Sequence, residues 1–271
     1  MSKKFIDVEK ILKDKNPAIL KWTPGFLINY LKNTIHQEEI NRILNENKDL
    51  FGYEFCLDII TRFNIKIEVK GTENIPKTGG CIMAANHPLG GMDALAIVTA
   101  INPFRQDIQF IVNDILLNLS NLKGLFVGVN KHGGNSKESL KSVNNLFASE
   151  KATFVFPAGL VSRKRKGKIE DLEWKKAFIT QSKKHNRPII PVYVEGNLTP
   201  FFYNLSNIRS TIGIKANLEM LYLANETFKQ EGKTIQIIFG KPIPPATFDK
   251  SKHDKKWAEW VKQKVYHLKT D

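Results

Sequence analysis

The stretch "CIMAANHPLGGMDALAIVTAI", Cys81–Ile101, decides the fold. "CIMAAN" is a short apolar run of the kind that forms a buried strand, and "GMDALAIVTAI" reads as a helix. Between their apolar parts one turn holds His87, Pro88, Gly90, Gly91 and Asp93. Gly90 and Gly91 permit positive φ, so the chain can double back, and Pro88 stiffens the segment beside His87. Strand, tight turn and helix open a βαβ unit, and open α/β sheets bind ligands at the carboxyl ends of their strands.

The same alternation continues downstream. "IQFIVN", "GLFVGVN", "ATFVFP" and "PIIPVYVE" read as strands, and "KTIQIIFGKPI" as a late one. "DILLNLSNL", "SKESLKSVNNLFASE" and "DLEWKKAFITQSKKH" read as the helices between them, and His253–Leu268 as a final helix. Upstream, "FNIKIEVKG" alternates Phe63, Ile65, Ile67 and Val69 with polar residues, the period of a half-buried strand. Before it, "FIDVEKILKDK", "GFLINYLKNTI" and "EEINRILNENKDL" have helical periodicity, broken at Pro17 and Pro24. The expected fold is α/β: a mostly parallel central sheet flanked by helices. Residues 1–60 are expected as an N-terminal helical segment, partly membrane-facing, and 61–271 as the α/β domain.

With 271 residues, 42% of them hydrophobic, the chain can bury a sizeable core. Lys and Arg outnumber Asp and Glu by 41 to 27, a formal charge of +14 that favours anionic partners: nucleic acid, an anionic membrane, a phosphorylated lipid or an acidic carrier protein. Cys56 and Cys81 have no metal-ligand spacing and make no disulfide framework, so a reducing cytoplasm is the simplest setting. "MSKKFIDVEK" lacks a signal peptide's apolar core, and the run "ALAIVTAI" is too short to span a bilayer, which takes ~20 residues.

His87 and Asp93 can meet if a turn and the first turn of the helix bring them together. Asp93 would then hold one ring nitrogen and leave the other as a base suited to taking a proton from a hydroxyl that attacks an acyl group. The competing reading is a helix N-terminus at which Asp93 only complements the dipole and His87 caps a turn. In "FVFPAGLVSR", Phe154–Arg163, Pro157 and Gly159 bend the chain after a buried strand. Gly159 lets backbone N–H groups approach an oxyanion or phosphate, and Arg163 offers a bidentate grip on an anion. An ordinary strand-to-loop turn is the alternative. No G-x-S-x-G elbow, zinc-helix spacing, P-loop or dinucleotide fingerprint is present.

"NHPLGGMD" resembles the first motif of the glycerolipid (lysophospholipid) acyltransferase superfamily. The resemblance is nearest to the bacterial hemolysin-like branch, which includes enzymes that acylate ornithine or glycine lipids. The five residues between His and Asp are one more than the common form and match that branch. "FVFPAGLVSR" resembles the third block, with Ala158 where the superfamily more often carries a Glu associated with glycerol-phosphate acceptors. "RPIIPVYVEGN" resembles the fourth block. "GLFVGVNKHGGN" stands in the place of the second, with Asn130 or Lys131 where an Arg is expected. The resemblance covers roughly residues 60–245 and implies a glycerol-3-phosphate acyltransferase-like fold. It implies His87 as base and Asp93 as its orienter, with an acyl carrier protein or coenzyme A thioester as donor. It also implies, as acceptor, the hydroxyl or amine of a lyso-lipid, either a lyso-aminolipid or lysophosphatidate, and Ala158 tilts the choice to the former. Asn130, Lys131 and Arg163 are then the anion-binding set and Pro157 and Gly159 the oxyanion turn, with no metal and no bound cofactor. A catalytically silent membrane-binding protein of the same fold is the rival.

"SRKRKGK" has five basic residues, a solvated loop by default and, in functional terms, a contact for anionic headgroups. Nucleic acid ranks last, because no recognised motif and no interleaved aromatic accompanies the run. "NKHGGN" is either an anion nest or a plain loop, with His132 a second possible base. The Trp257, Trp260, Val261, Val265, Leu268 stripe suits an interfacial helix or one packed on the sheet, and "TPFFYN" an acyl channel or core. The expected location is the cytoplasmic face of the cell membrane, as a peripheral protein.

Overall fold

The computed structural model describes residues 4–113, 116–117, 119–129 and 137–270. It divides into two compact units, Met1–Leu50 with Thr199–Gln230, and Phe51–Leu198 with Glu231–Asp271.

The first unit is helical: α1 (Val8–Lys15), α2 (Pro17–Trp22), α3 (Gly25–Thr34) and α4 (Gln37–Glu46), with two later helices of the same unit, Pro200–Thr211 and Leu223–Phe228. Polar side chains tie its irregular backbone. Asn41 Oδ1 accepts from the N–H groups of Phe5 and Ile6, both at 2.8 Å, and Gln37 Oε1 from Val8 N–H at 2.8 Å. Buried Glu219 is neutralised by the Arg209 guanidinium at 2.8 Å. The sequence assigns residues 1–60 to one helical segment; α5 (Gly52–Arg62) falls in the second unit.

The second unit is built on a seven-stranded sheet. In chain order its strands are β1 (Lys66–Lys70), β2 (Cys81–Ala85), β3 (Ile108–Asn113), β4 (Phe126–Val129), β5 (Ala152–Val155), β8 (Ile189–Val194) and β9 (Thr234–Phe239), with a separate hairpin, β6 (Arg163–Arg165) and β7 (Lys168–Glu170), between them. The spatial order is β1-β9-β8-β2-β5-β3-β4. Each pairing is parallel except β8 with β9, so the expected mostly parallel sheet is what the sequence forms. β2 and β8 are buried along their whole length, as continuous apolar runs in a parallel sheet should be.

One face of the sheet carries α5 and α6 (Gly91–Ile101). The other carries α7 (Lys137–Ala148), α8 (Ala177–His185) and α11 (Asp254–His267), the last of which follows the helices Pro200–Thr211 (α9) and Leu223–Phe228 (α10). Trp257, Val261 and Val265 of α11 are buried in the core that α7 and α8 share, so this stripe packs on the sheet. At the amino ends of the strands Arg105 is buried, its guanidinium donating to the carbonyls of Pro76, Gly79 and Glu150 and to both Asp107 oxygens.

Two further expectations change. The helix read from Asp171 starts at Ala177, because the side chains of Asp171 and Trp174 are drawn inward. The basic run is not a loop but a hairpin. Arg165 pairs with Lys168 around a two-residue turn in which Lys166 (φ 49°) and Gly167 (φ 81°) both take positive φ, the geometry that matches the strands' own twist. Cys56 and Cys81 are free and buried, and burial pushes their thiols up to about 12 and about 11.

Candidate active site

At the end of β2 the side chain of Asn86 continues the ladder to β8: its Oδ1 accepts from Val194 N–H at 2.7 Å and its Nδ2 donates to Val194 O at 2.8 Å. The main chain is thereby freed to turn. Gly90, at φ 71° and ψ −130°, starts α6 from a conformation that an L side chain resists. Gly91 already lies in the helix, so one glycine makes the bend.

This bend brings His87 and Asp93 together. His87 Nδ1 lies 2.9 Å from Asp93 Oδ2, and the same oxygen accepts from Leu89 N–H at 2.9 Å. Asp93 is fully buried, and its Oδ1 has no hydrogen-bond partner among the described residues. Burial pushes the Asp93 carboxyl above its ordinary range, and the hydrogen bond and charge of His87 draw it back. Phe156 stacks on the imidazole, ring centroids 4.1 Å apart at 22°. The imidazole keeps 19% of its surface exposed. With Nδ1 held by a carboxylate, the proton belongs on Nδ1 and the lone pair is left on Nε2.

The third-block residues cluster behind this pair. Ser162 N–H donates to His87 O at 2.8 Å, and Gly159, at φ 66°, donates its own N–H to Phe156 O at 2.9 Å. The turn is as expected, but the Gly159 amide is engaged within it, and Pro157 has no N–H. Ala158 is buried in the core with Trp174 and Phe178. Arg163 is buried too, and its Nη1 donates to Val161 O at 2.6 Å. Asn130, Lys131 and His132 lie outside the described residues.

Sequence reading missed Asp171. Its carboxylate accepts from His87 N–H at 3.1 Å, Ser162 Oγ at 2.6 Å and Trp174 Nε1 at 2.9 Å. No local spacing signals a residue 84 positions from its partner. It missed Lys175 as well, an exposed side chain whose Nζ stands 3.6 Å from where a Cβ on Gly159 would lie. In the sequence Lys175 reads simply as a residue of the helix "DLEWKKAFITQSKKH". No group of His, Cys, Asp and Glu among the described residues has the arrangement of a metal site.

Residues 10–271 match the sequence profile of an acyltransferase family. A lyso-glycine lipid O-acyltransferase of Bacteroides thetaiotaomicron is 47% identical over 265 residues, covering 97% of each chain. One of Phocaeicola vulgatus with the same name is 44% identical, covering 97% of this chain and 95% of its own. Among solved structures, the 1-acyl-sn-glycerophosphate acyltransferase PlsC of Thermotoga maritima aligns with a TM-score of 0.49 at 21% identity, over 91% of this chain and 90% of that one.

Proposed function

Because this chain belongs to the acyltransferase family, we propose that its His87–Asp93 pair moves a fatty acyl group from a thioester to the hydroxyl of a lyso-glycine lipid. The observation that carries the reading is the 2.9 Å contact between His87 Nδ1 and Asp93 Oδ2 in the bend after β2. The hydroxyl group of the acceptor gives its proton to His87 Nε2 while its oxygen bonds to the thioester carbon. Asp93 stabilises the imidazolium so formed, an ion pair strengthened by burial. The tetrahedral intermediate collapses as the carbon–sulfur bond breaks, and the imidazolium returns its proton to the departing thiolate. Donor and acceptor become thiol and ester, and the enzyme is restored. A general base of this kind contributes roughly 10²–10⁴-fold in rate.

The acceptor assignment draws on the two relatives' names and on Ala158 in the third block. A glycine headgroup ends in a carboxylate, and the exposed Lys175 ammonium beside the Gly159 turn suits it. The donor is the thioester of an acyl carrier protein or of coenzyme A. The N–H groups of Ala158 and Leu160, which donate to no other group among the described residues, are the amides on offer to the oxyanion.

No helix among the described residues is long and apolar enough to cross a membrane. We place the protein peripherally, at the inner face of the cell membrane. Trp22 and Phe26 of the helical unit, 81% and 76% exposed, support contact with lipid, as does the net charge of +14. The test offers the purified chain lyso-glycine lipid, a lyso-ornithine lipid and lysophosphatidate, each with acyl carrier protein and coenzyme A thioesters, and follows product mass. Selective growth of the diacyl glycine lipid is expected. Turnover of lysophosphatidate alone would refute the acceptor, and turnover of none would refute the enzyme reading.

A further inference from the structure

Both backbone groups of His87 are held by a pair of residues that also hold each other. His87 N–H donates to Asp171 Oδ1 at 3.1 Å, His87 O accepts from Ser162 N–H at 2.8 Å, and Ser162 Oγ donates to Asp171 Oδ1 at 2.6 Å. Asp171 and Ser162 are the residues immediately outside the hairpin β6–β7, and both are buried. Asp171 is fixed in turn from two sides. Trp174 Nε1 donates to its second oxygen at 2.9 Å. From α11, Tyr266 Oη accepts its N–H at 2.7 Å and Lys262 Nζ donates to its carbonyl at 2.8 Å. Burial, and then the Asp171 charge, hold the Tyr266 phenol protonated.

We propose that Asp171 is a positioning residue for acyl transfer: through Ser162 and the His87 amide it clamps the backbone of the base, so that the imidazole stays on Asp93 while a substrate draws on Nε2. The proposal rests on the acyltransferase reading of His87. Its physical basis is that Asp93 holds only one corner of the ring, and Phe156 only its face. The remaining freedom lies in the backbone of a residue just past the end of a strand, whose polar groups have no ladder to enter. A misplacement of about 1 Å at a reacting group costs on the order of 10² in rate. On this account α11, which carries no motif, acts on the base through Tyr266 and Lys262.

The test is Asp171→Asn in the full chain. An amide oxygen facing His87 N–H and Ser162 Oγ turns the amide NH₂ toward the Trp174 N–H, donor against donor. The expected result is a fall in kcat of about 10–100-fold with KM for the lyso-lipid within about 3-fold, the cost of one charged hydrogen-bond acceptor. Nitrogen-15 spectra of His87 should show a loss of the Nδ1–H tautomer in the folded variant. Adding Trp174→Phe removes the opposing donor and should restore part of the lost kcat, whereas a residue of purely structural worth would lose more. Unchanged kcat and tautomer in folded D171N, or a double variant slower than the single, would overturn the proposal. If D171N does not fold, Ser162→Ala takes its place, with a lower kcat and a disturbed tautomer expected and no change in either refuting. The tautomer readout needs no substrate, so a wild-type chain that proved inactive would sink the functional reading while the spectra still judged the clamp.

Discussion

Asp93→Asn isolates the charge of the orienting carboxylate at constant volume. To keep both Leu89 N–H and His87 Nδ1–H, the amide oxygen must take the place of Oδ2. The NH₂ then occupies the Oδ1 position, which is buried and has no partner among the described residues, a cost of about 1–3 kcal/mol. Against that stands the cost of an ionised carboxylate buried in the wild type. The Asp93 carboxyl is raised in the folded state, so the folded chain holds its proton to higher pH than the unfolded chain does. The contribution of Asp93 to wild-type stability is therefore greatest below the unfolded value, about pH 4, and declines as pH climbs through the raised one. The variant lacks that decline. Its melting temperature relative to wild type should improve between about pH 4 and pH 7. Catalysis moves the other way. A unit charge about 4 Å from an imidazolium is worth about 4 kcal/mol at an effective dielectric of about 20, so kcat should fall by roughly 10²–10³. Product mass spectrometry at saturating lyso-lipid, with thermal melts at both pH values, measures both effects. A variant with kcat within tenfold of wild type, or one whose relative stability worsens toward neutrality, would refute the reasoning.

Gly196→Ala places a Cβ 2.7 Å from the Leu89 side chain, whose backbone N–H holds Asp93. Thermal melts should show a loss of about 1–3 kcal/mol, and kcat should fall while the protein stays folded. Lys175→Gln should raise KM for a carboxylate-bearing lyso-lipid about tenfold with kcat little changed; an unchanged KM removes Lys175 from the acceptor site. With their thiols pushed up to about 12 and about 11, Cys56 and Cys81 should resist iodoacetamide at about pH 8 until denaturant is added, as counted by intact mass.

Each strand of the large sheet was visible in the sequence because each is either a continuous apolar run, such as "CIMAA" or "IIPVYV", or an alternation, such as Lys66–Lys70. The bend from His87 to Asp93 was visible for a related reason: Gly90 and the helix that follows confine the pair to one short path. Long-range polar pairing left no such trace. Asp171 and Trp174 fit the helical pattern of "DLEWKKAF", and the pull of the His87 backbone, Ser162, Lys262 and Tyr266 on Asp171 keeps them out of α8. The hairpin was hidden because its charges outweighed a turn signal that rests on Lys166 and Gly167 alone. In segment Thr199–Gln230 only the apolar cluster Thr199–Asn204 stands out in the sequence, whereas buried Glu219 and Glu226 organise its helices. Glu219 pairs with Arg209, and Glu226 accepts from Thr199 N–H and Oγ1.

Acyl transfer as proposed depends first on His87 taking the acceptor's proton. Folded His87→Ala, assayed beside wild type with lyso-glycine lipid and an acyl thioester, tests it most directly. Wild type should give steady diacyl product and the variant a rate lower by about 10²–10⁴ with lipid binding retained. Equal rates from the two proteins would contradict it.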